Sequence, residues 1–122
     1  MHYAVKTNCD EEIIKELVRL GQGFDCASTW EMQKVLEHGA KAEDIIFAHP
    51  CKAKSHIEFA KQVGVKLMTF DSKEEATKIA KIFPEAELVL RIAITDTDAP
   101  CPMGMKFGAP RELWSEILDT CN

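Results

Sequence analysis

The chain is short of the features that would place it in several large protein classes. It has no C-x-x-C pair and no cluster of cysteine with histidine, so the spacing used by structural zinc sites is missing and no metal site is expected. Its five cysteines, Cys9, Cys26, Cys51, Cys101 and Cys121, are odd in number, unlike the even sets of small disulfide-framed secreted domains. Reduced, mostly buried thiols in a cytoplasmic protein are the expectation. No apolar run approaches the roughly 18 residues that span a bilayer, and no secretory n-region and h-region precede the first strand-like run. Positive charge is in deficit: 15 Lys and Arg against 20 Asp and Glu leave a net charge of -5 at pH 7. That weighs against nucleic acid or an anionic membrane as partner, because clustered Lys and Arg drive phosphate binding. No G-x-G-x-x-G follows the first apolar run, which weighs against a dinucleotide-binding sheet.

What is present is a regular alternation. The 122 residues, 46% hydrophobic and 29% charged, suit one globular domain with a sizeable core. Short apolar runs over Tyr3–Lys6, Gly23–Ala27, Ile45–Ala48, Leu67–Phe70 and Leu88–Ile94 predict strands. Between them apolar residues recur at helical spacing. Ile13, Ile14, Leu17 and Val18 end at Gly21; Met32, Val35 and Leu36 end at Gly39; Ile57, Ala60 and Val63 end at Gly64; Ala76, Ile79, Ala80 and Phe83 stop at Pro84. Ser28-Thr29-Trp30-Glu31 has the spacing of a capping box, and Asp71-Ser72-Lys73-Glu74-Glu75 reads as a second helix start. A last amphipathic stretch, Glu112–Leu118, follows Pro110. Strand–helix repeats of roughly 20–25 residues mean parallel strands with right-handed crossovers. The fold class is therefore α/β. Even spacing and polar residues at successive strand ends favour a partial (β/α)8 TIM barrel of about five βα units over an open doubly wound sheet.

Barrel enzymes carry their chemistry at the C-terminal ends of strands. Those positions hold Lys6 and Asn8, Asp25 and Ser28, His49, Asp71 and Arg91. Alternation along the first strand puts Ala4, Lys6 and Asn8 on one face. A lysine in a desolvated pocket loses basicity, and a neutral amine attacks an aldehyde to form an imine. The competing reading of Lys6 is a strand-end lysine snorkelling to water. Asp25, expected in a largely buried strand, needs partners; Lys6 supplies one charge, and backbone N–H groups are the alternative. Glu31 reads as a helix-cap carboxylate. Arg91, inside Leu88-Val89-Leu90-Arg91-Ile92-Ala93-Ile94, must be paired or face a polar site. His49 and Cys51 lack a matching second pair and read as loop residues. Cys26 falls on the strand face opposite Asp25, packed under helices.

These residues resemble the eukaryotic ornithine decarboxylase family of pyridoxal-phosphate (PLP) barrel decarboxylases. Tyr3-Ala4-Val5-Lys6-Thr7-Asn8 is similar to the family's Y-A-V-K-x-N, and Gly23-Phe24-Asp25-Cys26-Ala27-Ser28 with Glu31 to its G-F-D-C-A-S-x-x-E. His49-Pro50-Cys51-Lys52 is similar to N-P-C-K, with histidine in place of asparagine. Met68-Thr69-Phe70-Asp71-Ser72, Leu88-Val89-Leu90-Arg91-Ile92 and Lys106-Phe107-Gly108-Ala109 also resemble family segments, in the family's order. The resemblance implies that Lys6 forms the Schiff base with PLP. Asp25 and Glu31 then act near that lysine in catalysis, with Asp25 also counted among the cofactor contacts. It implies Arg91 beside the cofactor ring and Lys106 at the contact between subunits of a homodimer. The implied reaction is decarboxylation of L-ornithine to putrescine and CO2, in polyamine biosynthesis.

The departures from the family pattern matter too. The histidine that stacks on the ring, the glycine-rich phosphate site, the acid that pairs with the pyridine nitrogen and the C-terminal β-domain have no counterpart among residues 1–122. These residues are therefore expected to form one partial PLP-binding barrel domain, ending before closure, and the isolated chain is expected to be inactive or nearly so. A rival reading is a non-catalytic, antizyme-inhibitor-like protein; the family's antizyme-binding segment maps by resemblance onto about Lys54 to Thr77. A third is a PLP-binding barrel protein without decarboxylase activity, against which the Phe24–Ser28 segment counts.

Overall fold

The computed structural model describes residues 1–94 and 107–121. Five strands, β1 (His2–Ala4), β2 (Gly23–Cys26), β3 (Ile45–Phe47), β4 (Leu67–Phe70) and β5 (Glu87–Leu90), form one sheet in the order β1-β2-β3-β4-β5. Every neighbouring pair is parallel. Helices α1 (Glu11–Arg19), α2 (Thr29–Glu37), α3 (Lys54–Val63) and α4 (Lys73–Ile82) make the crossovers, and α5 (Trp114–Asp119) follows β5. The strand order never reverses, so there is no switch point of the kind an open doubly wound sheet uses. Right-handed crossovers with an unreversed order put the helices on one face, as in the wall of a barrel.

Period-two alternation decides which side chains meet those helices. Phe24 and Cys26 from β2, Ile45 and Phe47 from β3, and Met68 and Phe70 from β4 are buried. They pack in one cluster with Ile14 of α1, Met32 and Val35 of α2, Ile57 and Ala60 of α3, and Ala76 and Ile79 of α4. Full burial of a large apolar side chain contributes about 1.5–3 kcal/mol, so this cluster dominates the stability of the sheet–helix sandwich. The intervening residues face the opposite side. Asp25, Ile46, Leu67 and Thr69 are half-buried there, and Glu87 and Val89 are exposed. The five strands do not close on themselves, which leaves that face open.

Helix starts follow the sequence signals. The Asp10 carboxylate accepts from the backbone N–H of Glu12 and Ile13 at 3.0 and 3.4 Å. Ser28 and Ser72 hydroxyls accept from the N–H of Glu31 and Glu75. Gly64 ends α3 at φ 81°, a left-handed conformation that costs glycine little.

Several boundaries differ from expectation. The first strand stops at Ala4, and Val5–Thr7 form a 3-10 turn. Val5 is driven into the core, and the Tyr3 hydroxyl donates to the Asn8 carbonyl at 3.0 Å, closing the turn. Alternation therefore does not continue through Lys6 and Asn8. The last strand is shorter than Leu88–Ile94: pairing with β4 ends at Leu90, and Ile92 bridges only Ala109. Arg91 thus stands just beyond β5 rather than inside it. The final amphipathic stretch is split, with a 3-10 turn over Arg111–Leu113 before α5.

Candidate active site

β1, β2 and β5 deliver three of the predicted residues to the rim at the C-terminal ends of the strands. Lys6 occupies the 3-10 turn after β1 and is exposed rather than desolvated. The physical reason is the open inner face: no element covers the turn among the described residues. Asp25 pairs in register with Ala4, two residues before Lys6. It is half-buried rather than largely buried, because it lies on that same open face. Burial raises its carboxyl above the ordinary aspartate value, while the charges of Lys6, His2 and Arg91 pull it back toward ionisation. Lys6 and Arg91 therefore lie within electrostatic reach of one carboxylate.

Arg91 is held by backbone on both sides. Its N–H donates to the Phe70 carbonyl at 2.8 Å, and its carbonyl accepts from the Ala109 N–H at 2.8 Å. The guanidinium carbon stands 5.2 Å from the centre of the Phe107 ring, within the range of a cation–π contact.

Glu31 is not brought to this group by any hydrogen bond. Its Oε2 accepts from the Ala27 N–H at 2.5 Å, while its own N–H donates to Ser28 Oγ at 3.2 Å. The carboxylate closes the start of α2 on the N–H of Ala27, one residue before the Ser28 N-cap that a capping box would use. His49 is a loop residue: its Nδ1 accepts from the Cys51 N–H at 3.2 Å. Cys26 is fully buried beneath the helices, and burial pushes its thiol up to about 12. Lys106, the expected subunit contact, lies outside the described residues.

A second polar constellation was not legible in the sequence. Lys52, just after the β3 loop, buries its whole side chain. Its ammonium donates to the carbonyls of His49 and Thr69 at 3.0 and 2.6 Å and stands 3.0 Å from Glu75 Oε1. Glu75 also accepts from the Lys52 backbone N–H at 3.1 Å and pairs with Lys78 through Oε2 at 2.6 Å. Burial alone would raise the Glu75 carboxyl, but Lys78 and Lys52 overcome it and hold it below the usual range. Facing one carboxylate shared with Lys78, the Lys52 ammonium is pushed down by its burial. The only signal was the Ser72-x-x-Glu75 spacing, the same as Ser28-x-x-Glu31. In α4 the third-position carboxylate turns to Lys52 and Lys78, whereas in α2 it turns back to the chain.

The chain matches, over residues 1–122, the family model of the pyridoxal-dependent decarboxylases, pyridoxal binding domain. It belongs to that family. Among decarboxylase relatives, ornithine decarboxylase of Caenorhabditis elegans is 53% identical over 107 residues, which are 88% of this chain and 25% of that one. Antizyme inhibitor 2 of Xenopus laevis is 43% identical over 117 residues, 96% of this chain and 26% of that one. The chain thus spans about a quarter of the length of the curated relatives it matches. The crystal structure of the Paramecium bursaria Chlorella virus arginine decarboxylase bound to agmatine superposes with a TM-score of 0.94 at 40% identity, covering 98% of this chain and 32% of that one. The fold is accordingly part of a decarboxylase barrel, and PLP is the cofactor of the family. The side chains at the rim fit that group chemically. An exposed primary amine, a carboxylate in its field and a guanidinium are what the aldehyde end and ring of PLP call for.

Proposed function

We propose that this chain forms the lysine-bearing wall of a PLP-dependent decarboxylase acting on a basic amino acid, with L-ornithine as substrate and putrescine and CO2 as products. The observation that supports it is the placement of Lys6 in the turn after β1, Asp25 on β2 in register with Ala4, and Arg91 just beyond β5, all on one rim of the sheet. The identity to ornithine decarboxylases favours ornithine over arginine or lysine.

When bound, PLP supplies an electrophilic carbonyl and a ring that takes up the electrons of the broken bond. The chain supplies the rest. Lys6 presents its nitrogen from a short turn whose backbone is anchored by buried Val5. Asp25, in register with Ala4 two residues before Lys6, places a carboxylate on the same rim. Arg91, its backbone tied to β4, would hold its guanidinium toward the ring. Glu31 keeps α2 seated behind β2. Lys106 is assigned to the contact between two subunits of a homodimer.

The test is chemical trapping. The purified chain is incubated with PLP, reduced with borohydride and mapped by mass spectrometry. A single dominant adduct on Lys6, lost in Lys6→Met and diminished in Asp25→Asn, is expected. Adducts spread evenly over the exposed lysines count against the assignment. The 122-residue chain alone is expected to release no putrescine from ornithine, and measurable turnover by it would overturn that part of the reading.

A second reading is a non-catalytic, antizyme-binding protein. It is favoured by the similarity to antizyme inhibitor 2. It predicts binding of antizyme without a Lys6 adduct.

A further inference from the structure

Arg91 owes its place to more than the strand it follows. Asp71 stands where the chain leaves β4, and its Oδ2 accepts the N–H of Gly108 at 2.9 Å. Gly108 has φ +118°, and a Cβ there would lie 2.7 Å from the backbone N of Ala93 and 2.8 Å from its Cα. The backbone at residues 107–109 is therefore pressed directly against that at 91–93, an approach only glycine permits. The contact is knitted on both sides: the Ala109 N–H donates to the Arg91 carbonyl at 2.8 Å, and the Ala93 N–H to the Ala109 carbonyl at 2.9 Å. Phe107, next to the residue that Asp71 holds, lays its ring 5.2 Å from the Arg91 guanidinium carbon.

From this arrangement we infer that Asp71 is a positioning residue for Arg91, acting by fixing Gly108 so that Phe107 supports the guanidinium at the rim. A charge-assisted bond from a carboxylate to a backbone N–H is among the stronger single contacts a loop can have. It is directed at Gly108, whose backbone is pressed against Ala93. A flat aromatic face then limits the rotamers open to a long, flexible side chain. The functional value of that order rests on the reading that Arg91 faces the cofactor.

The experiment uses the whole chain, in wild-type form and as Asp71→Ala, Asp71→Asn and Phe107→Leu. Two quantities are read: the order of the Arg91 Nε–H by 15N relaxation, and PLP affinity by equilibrium titration. Asp71→Ala and Phe107→Leu are both expected to loosen the Arg91 side chain and to weaken PLP binding by roughly three- to tenfold. Asp71→Asn keeps an oxygen that can accept from Gly108 and is expected to restore most of both. If Asp71→Ala lowers the unfolding temperature but leaves Arg91 as ordered as in the wild type, Asp71 only ties down a loop and the inference is wrong. Phe107→Leu leaves the Asp71 bond intact and serves if Asp71→Ala does not fold: an Arg91 as ordered in Phe107→Leu as in the wild type overturns the inference equally. A wild-type chain that binds no PLP defeats the cofactor reading, while the Arg91 order still decides the role of Asp71.

Discussion

The Lys52 ammonium and the Glu75 carboxylate form an ion pair at 3.0 Å with both side chains withdrawn from water. The pair joins the end of the β3 loop to the first turn of α4, and Lys78 completes it from the next turn. Removing one partner of a buried pair strands the other charge, at a cost of about 3–5 kcal/mol. Glu75→Gln is therefore expected to destabilise the fold by about that much in urea unfolding. Lys52→Met leaves Glu75 paired with Lys78 but deprives the His49 and Thr69 carbonyls of a donor, and a smaller loss of about 1–3 kcal/mol is expected. Equal losses in the two variants would show that the pair, rather than the stranded charge, dominates.

The same carboxylate gives a pH signature. Its folded-state pKa lies below its unfolded value. Its contribution is thus fully present above the unfolded carboxylate range and is lost as pH falls through the folded pKa. The stability difference between wild type and Glu75→Gln is expected to shrink at the acid end of that range. A difference that stays constant with pH would contradict the assignment.

Asp25 has the opposite sign. Burial raises its pKa despite the nearby charges of Lys6 and Arg91. Its contribution to stability is present below the unfolded aspartate pKa and is lost as pH rises through the folded one. Asp25→Asn is expected to be more stable than wild type near neutrality, with the gain disappearing in acid, while adduct formation at Lys6 falls. Loss of stability at neutral pH would show that Asp25 is a structural acceptor instead.

Cysteine labelling separates the thiols. Cys26 is fully buried with its thiol pushed up to about 12, whereas Cys9 and Cys51 are exposed. Thiolates, not thiols, react with alkylating agents. Cys9 and Cys51 are expected to be modified in the native chain, and Cys26 only after denaturation, as followed by mass spectrometry.

At the start of α2, Ser28→Ala is expected to cost about 1 kcal/mol through the lost cap. Glu31→Gln retains an acceptor for the Ala27 N–H and is expected to cost less. If Glu31→Gln leaves stability intact but abolishes the Lys6 adduct, Glu31 has a role at the rim beyond the cap.

Much of this was legible from local rules. Hydrophobic period located all five strands, and the Ser28 and Ser72 caps begin the helices their spacing predicts. Lys6, Asp25 and Arg91 stood out in the sequence as polar residues against apolar runs, and the fold places all three on one rim. What escaped were events decided by tertiary contact. Burial of Val5 turned the chain before Lys6, and pairing with Ala109 took over from strand geometry after Leu90. The Lys52–Glu75 pair escaped for a different reason. Two serine–glutamate caps with the same spacing send their carboxylates to different partners, and only the loop that packs above α4 decides between them.

The unreversed order of the sheet also bears on which segments depend on one another. Each strand pairs with the one just before it in the chain, so every crossover closes over a single strand–helix unit. No strand of the sheet depends on a distant segment of the chain for its neighbour. In this architecture the order along the chain is also the order across the sheet.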